Sequence, residues 1–173
     1  MQISLEGKRA FVTAGGDGMG RTTAITMHEL GAEVFTCDIE PRGLATLPTG
    51  ITTWECDVSD SSALNAIFDE ILPGGLDIMI NNAGISGPTK LVEHVTDEEW
   101  DHCMSICIDA QFYCARRVAP VFKAQQSGVI INMISGAGIM GFPSRSPYAA
   151  AKWAAAGFTE TLAMELGPNN IRV

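Results

Sequence analysis

The sequence predicts an α/β fold in three layers (αβα), a doubly wound parallel sheet with helices on both faces, and two observations carry that expectation. Short apolar runs suited to strands alternate along the chain with segments of helical periodicity, and such alternation needs crossover connections between parallel strands. The first strand also runs straight into a glycine-rich stretch, residues 14–20, ahead of a helix. With 173 residues the chain is read as a single domain over 1–173, long enough to bury roughly 70% of its unfolded surface. No internal repeat, linker or low-complexity tract interrupts it.

Each element follows from its residues. Residues 9–13 (RAFVT) read as a short buried strand. Glycines at 15, 16, 18 and 20 let the backbone approach a ligand, and the amides opening the next helix, residues 21–30, favour an anion such as a pyrophosphate. A glycine cluster alone also fits an ordinary tight turn, so its context matters. Residues 33–37 form a second strand ending at Asp38, where an acid can accept ribose hydroxyls. This is the arrangement of a Rossmann-type dinucleotide-binding domain. Asp38 and Asp17 place two negative charges where a 2′-phosphate would lie and favour NAD over NADP; Arg42 is the nearby residue that could meet a phosphate instead.

Residues 41–50 contain two prolines and two glycines and read as a loop with at most one helical turn. Residues 51–55 are a third strand leading to Cys56 and Asp57. Asp60 or Ser61 caps a helix whose Leu64, Ile67, Phe68 and Ile71 follow helical spacing. The nearly all-apolar run 76–80 suits a central parallel strand covered on both faces. Thr96 and Glu99 fit a capping box opening a long helix toward Gln125, with Pro120 expected to kink it. Residues 129–133 are a further strand, and Ser146 and Pro147 read as N-cap and first residue of a helix through Leu166.

Composition excludes several functions. The chain carries 20 Asp and Glu against 11 Lys and Arg, a net charge of −9, with no basic run, which argues against nucleic acid as a partner. No apolar run approaches the roughly 18 residues of a membrane span, and residues 1–12 hold no apolar core of signal-peptide length. The five cysteines show no paired framework spacing, which suits a reducing, cytoplasmic setting. Cys103, Cys107 and Cys114 could share a helical face, but a zinc site wants four ligands and only His102 lies nearby. They read as small buried apolar residues, and no metal is expected. A serine hydrolase lacks support because there is no Gly-x-Ser-x-Gly elbow.

Chemistry is expected in residues 135–152. Tyr148 and Lys152 are four apart, so on one helix their Cβ atoms lie about 5–6 Å from each other. A tyrosine exchanges protons near neutrality only if its anion is stabilised, and a neighbouring ammonium does that. Ser135 could then hold the substrate oxygen. A surface helix that merely contains Tyr and Lys is the plainer reading of that pair alone.

Several motifs in order and spacing resemble the short-chain dehydrogenase/reductase family over Lys8 to Val173. The family's Thr-Gly-x-x-x-Gly-x-Gly turn is matched by Thr13, Gly18 and Gly20, with Ala14 in place of its first glycine. Its Asn-Asn-Ala-Gly stands at Asn81 to Gly84, its serine at Ser135, its Tyr-x-x-x-Lys at Tyr148 to Lys152, and its Ile-Arg-Val at the chain end. The resemblance implies hydride transfer between a nicotinamide cofactor, NAD, and a small alcohol or carbonyl substrate. It implies that Tyr148 is general acid/base, that Lys152 lowers its pKa and binds the nicotinamide ribose, and that Ser135 orients the substrate oxygen. Thr13, Gly15, Asp17, Gly18, Met19, Gly20, Asp38, Asp57, Val58, Asn81, Ala83 and Gly84 would join Tyr148 and Lys152 around the cofactor, with Asp57 facing adenine, Asn81, Ala83 and Gly84 beside the adenosine ribose, and Asn82 tying strands together. A homotetramer built through the two long helices is a further implication.

Two departures stand out. The family's usual fourth catalytic residue, an asparagine that helps hold a proton-relay water, falls on Cys107; a thiol is the weaker donor and acceptor, and a reactive cysteine is the sharper alternative. The chain also stops inside what should be the sixth strand, so the last strand or strands of the usual seven and the substrate-covering tail are missing, as in a fragment. Both departures leave room for a nucleotide-binding relative without catalysis. Residues 85–88 with Ala137, Met140 and Phe142 are largely apolar, which suits a hydrophobic or modest-sized secondary alcohol.

Overall fold

Phe11 and its neighbours in the first strand show how the layers assemble, because alternate side chains enter opposite cores. In the computed structural model, which describes residues 3–173, β1 (Arg9–Thr13) turns Phe11 toward a core with Leu64, Phe68, Met79, Val118 and Phe122, and turns Ala10 and Val12 toward Ala24, Met27, Val34 and Ile80. A strand buried on both faces must sit inside a sheet. The sheet has six parallel strands in the order β3-β2-β1-β4-β5-β6, comprising β2 (Glu33–Asp38), β3 (Ile51–Glu55), β4 (Ile78–Asn81), β5 (Gly128–Asn132) and β6 (Ile171–Arg172). Strand order reverses between β1 and β4, and a cleft opens at the carboxyl ends of strands at such a switch point. The expected αβα layering with a parallel sheet is observed.

The helices are α1 (Gly18–Glu29), α2 (Pro41–Leu44), α3 (Ser61–Ile71), α4 (Asp97–Met104), α5 (Ala110–Gln125) and α6 (Ser146–Leu166). The single turn of α2 agrees with the loop reading of 41–50. Asp60 caps α3 by accepting from the Ser62 and Ala63 amides, and Thr96 and Glu99 form the reciprocal capping box of α4.

Several boundaries differ from expectation. Helix α1 begins at Gly18, earlier than residue 21, so the last glycines form its first turn. Strand β4 starts at Ile78 because Leu76, although buried, has its N–H and C=O engaged by the Gln125 carboxamide at 3.3 and 2.7 Å. Strand β5 ends at Asn132, and the next carbonyl, that of Met133, accepts from Lys152 Nζ instead of extending the ladder. Ser146 is the first residue of α6 and not its cap: Arg145 takes the N-cap position, and the buried Ser146 hydroxyl has no hydrogen-bond partner among the described residues.

The long helix also breaks earlier than Pro120. Between α4 and α5, Ser105–Asp109 is a π turn in which the Ala110 N–H reaches back to the Ser105 carbonyl, and π turns of this kind recur at functional sites. Pro120 itself lies within the continuous α5.

Candidate active site

The glycine turn is shaped by close packing. A Cβ on Gly20 would stand 2.0 Å from the Ala14 carbonyl oxygen and 2.4 Å from Asn82 Nδ2, and one on Gly15 would stand 1.9 Å from Thr36 Oγ1. Neither position accepts a side chain. Gly18 (φ 55°) and Ala14 (φ 55°) both have left-handed backbone, so at Ala14 this chain tolerates a conformation that ordinarily favours glycine. Arg21, half-buried just after the turn, donates to the carbonyls of Gly16, Gly43 and Thr46 at 3.4, 2.9 and 2.8 Å. It ties the turn to α2, a role that sequence reading missed although a cation directly after a glycine loop was visible.

Beside this turn lies a cleft of about 220 Å³ lined by Ala14, Asp38, Ile39, Cys56, Asp57, Val58, Ala83, Gly84, Ile85 and Ile106. Asp38 forms one wall, its carboxylate accepting the Gly16 amide at 2.9 Å and the Glu40 amide at 3.0 Å. Asp57 accepts both the amide and the hydroxyl of Ser59. Asp17 and Met19 are exposed at the start of α1, where Asp17 makes no side-chain cap, leaving the first amides of that helix without an internal partner.

The two asparagines and Thr13 have other partners. Thr13 is buried, and its Oγ1 accepts the amides of Asn82 and Ala83, each at 3.0 Å. Asn82 donates to the Thr13 and Ala14 carbonyls, tying the ends of β1 and β4 as expected. Asn81, expected beside the ribose, is instead buried and donates to Asn132 Oδ1 at 2.7 Å, while Asn132 donates to Thr159 Oγ1 on α6 at 2.9 Å. Asn81 is therefore a strand tie too, and it does not line the cleft. Asn132 and Thr159 were not singled out from sequence, because nothing local links them.

Ser135 sits between β5 and the one-turn helix Gly136–Gly138, its Oγ accepting the Ala137 amide at 3.2 Å. That turn packs so closely on α6 that a Cβ on Gly138 would lie 2.5 Å from the Lys152 carbonyl oxygen, which brings the serine segment against the Tyr148–Lys152 helix. Tyr148 is half-buried in the first turn of α6. Lys152 is only 4% exposed; its Nζ lies 5.8 Å from the Tyr148 ring centre and donates to the Met133 carbonyl at 2.7 Å. Burial pushes the Lys152 ammonium below the ordinary lysine range, and the thiols of Cys107 and Cys103 oppose that shift.

Cys107 occupies the π turn with no exposed surface. Its Sγ accepts the Ile85 amide at 3.4 Å and donates to the Ile85 carbonyl at 3.3 Å, so the thiol holds the segment leaving Gly84. It packs with Cys103 and Ala151, and burial pushes the Cys103 thiol up to about 12. The reactive-cysteine alternative thus meets buried, hydrogen-bonded thiols, the setting of inert ones. Cys114 belongs to a different core, with Phe122 and Ile130. Cys107→Ala is expected to lower stability by about 1–3 kcal/mol, since it strands a buried N–H and C=O; chemical denaturation measures this, and Cys107→Asn, which can make both bonds, should recover the loss.

The family profile described as short chain dehydrogenase matches residues 8–173. The chain belongs to that family. It is 35% identical over 177 residues to a D-xylose 1-dehydrogenase of Caulobacter vibrioides, covering 98% of this chain and 70% of the relative. Among solved structures, an NAD+-bound xylitol dehydrogenase superposes with a TM-score of 0.92 at 28% identity, over 98% of this chain and 68% of that one. A metagenomic short-chain oxidoreductase in complex with NADP gives a TM-score of 0.93 at 29% identity, over 98% and 80%. No helix among the described residues is long and apolar enough to cross a membrane.

Proposed function

We propose that residues 1–173 act as one dinucleotide-binding domain of an NAD-dependent alcohol dehydrogenase or carbonyl reductase, with Tyr148 as general acid/base. The observation that carries this reading is the buried Lys152 ammonium, 5.8 Å from the Tyr148 ring, in a fold whose glycine turn leaves no room for a Cβ at Gly20. The residues fit a dinucleotide: uncapped amides at the start of α1 for a pyrophosphate, Asp38 at the cleft wall for ribose hydroxyls, and Asp57 and Val58 for the adenine side. Bound nicotinamide supplies the hydride acceptor or donor. Tyr148 gives a proton to the carbonyl oxygen in reduction and takes it from the alcohol in oxidation. Lys152 favours the tyrosine anion and reaches the nicotinamide ribose, while Ser135 orients the reacting oxygen.

Relatives bind NAD+ in one structure and NADP in another, which supports a nicotinamide cofactor of either kind. The choice of NAD rests on Asp38, whose carboxylate would face a 2′-phosphate; such like-charge contact costs several kcal/mol, so NADH should bind about 10²-fold more tightly than NADPH. Titration of both cofactors, with turnover assayed on secondary alcohols, checks this, and equal affinities would refute the NAD assignment. A non-catalytic nucleotide-binding relative is the second reading, favoured by Cys107 in the asparagine position; tight NADH binding without turnover on that panel would select it. Phe112, Trp153 and Met164 are exposed on α5 and α6, which supports a homotetramer through those helices, to be decided by solution mass. The five free thiols support a cytoplasmic setting, which an intact-mass thiol count from native lysate would contradict if disulfides were found.

A further inference from the structure

Arg145 opens the helix that carries Tyr148 and forms no ion pair among the described residues. It is the N-cap residue of α6, its carbonyl accepting the Ala149 amide at 2.8 Å, so its side chain begins about one turn ahead of the tyrosine. Its Nη1 donates to the Ser86 carbonyl at 2.6 Å. The next residue, Gly87, abuts the tyrosine: a Cβ there would lie 3.9 Å from Tyr148 Cβ and 3.1 Å from Cys103 Sγ. The Lys90 amide donates to the Ser144 carbonyl at 3.0 Å, and Lys90 bridges to Arg145. The two loops that carry Ser86 and Arg145 are therefore stitched together at the edge of the tyrosine.

Arg145 is one of several cations here that form no ion pair among the described residues, but it is the one set at the start of the tyrosine's helix. Carboxylates outnumber cations, with a net charge of −9, yet none of the ion pairs among the described residues includes Arg145. The nearby Glu99 carboxylate is held by Lys90 at 2.5 Å, and Lys152 is buried on Met133. A guanidinium has five donors in a fork that matches a carboxylate, and among the described residues the Arg145 side chain makes one hydrogen bond, to the Ser86 carbonyl. In the segment between Ser135 and Arg145, Ile139, Met140 and Phe142 are 64%, 58% and 52% exposed. Exposed apolar side chains in the segment leading to a cation with no ion pair would complement an apolar skeleton that ends in an anion.

We propose that Arg145 is a specificity-determining residue that binds a carboxylate on the substrate, making the preferred substrate class oxo acids and the corresponding hydroxy acids with an apolar chain. This rests on the oxidoreductase reading above. No bond changes at Arg145; it orients the carbonyl toward Tyr148 by holding the far end of the molecule.

The test uses the full chain with NADH and a series from 3-oxobutanoate to 5-oxohexanoate, each beside its methyl ester. At least one acid should exceed its ester in kcat/KM by tenfold or more, and Arg145→Gln should cut that ratio at least tenfold, with partial recovery in Arg145→Lys. A readout independent of turnover is calorimetric titration of the same acids into NADH-loaded Tyr148→Phe protein, with and without Arg145→Gln. Equal use of acid and ester by the parent chain, or a parallel fall of both in Arg145→Gln, would assign Arg145 to loop stapling alone and overturn the proposal. NADH binding with no acid affinity in the Tyr148→Phe protein would overturn this proposal only. Failure to bind NADH at all would overturn the oxidoreductase reading, and the substrate assignment with it.

Discussion

Tyr148→Phe should abolish measurable reduction of ketones by NADH while leaving cofactor affinity almost unchanged. The exchange removes one hydroxyl and keeps the ring, which packs against the cluster of Cys103, Cys107 and Ala151, so the fold should survive. What the proposed role would lose is the proton donor beside the buried Lys152 ammonium. A positioned general acid contributes about 10²–10⁴-fold, and the loss should fall on kcat at least as heavily as on KM, because the proton moves only in the transition state. Steady-state kinetics with a parallel NADH titration measures both. Turnover near that of the parent chain would remove Tyr148 from the role of acid/base.

Gly20→Ala is the second large effect, and it acts through the backbone. The new Cβ would meet the Ala14 carbonyl oxygen at 2.0 Å and the Ala14 carbonyl carbon at 2.9 Å, atoms of the turn itself that no rotamer change can move aside. Overpacking of this kind costs about 3 kcal/mol or more when neighbours cannot yield. Relief requires α1 to move away from β1, which displaces the amides that would hold a pyrophosphate. Thermal unfolding should therefore begin earlier, and NADH affinity should fall further than stability alone explains. Gly18→Ala is the control: a Cβ there meets nothing within 4 Å, and the left-handed backbone costs only about 1–2 kcal/mol. If Gly20→Ala melts like the parent and binds NADH normally, the close packing of the turn is refuted.

Legibility from sequence followed the range of the interaction. The buried strands could be read because a parallel strand covered on both faces leaves an apolar run. The Thr96 capping box could be read because donor and acceptor lie within one turn, and the Tyr148–Lys152 pair because helical spacing alone places them on one face. The π turn at Ser105–Asp109 was not legible, since its residues also suit an ordinary helix. The roles of Asn81 and Asn82 were only half separated, because both sit in one tetrapeptide and differ only in which distant residue they meet, Asn132 or Thr13. Ser146 looked like a cap by type, and the structure gives that place to Arg145.

By itself the sequence determined the parallel αβα layering, the glycine turn with Asp38 after the next strand, and the tyrosine and lysine one helical turn apart. These rest on backbone periodicity and on spacing along a single element. Tertiary structure alone decided that Cys107 grips Ile85 from a π turn, that Lys152 is fixed on the Met133 carbonyl, that Asn81 ties β4 to β5, and that Arg145 reaches the Ser86 carbonyl. Each of those depends on residues far apart in the chain, whose meeting is set by how strands and helices pack and not by any local pattern.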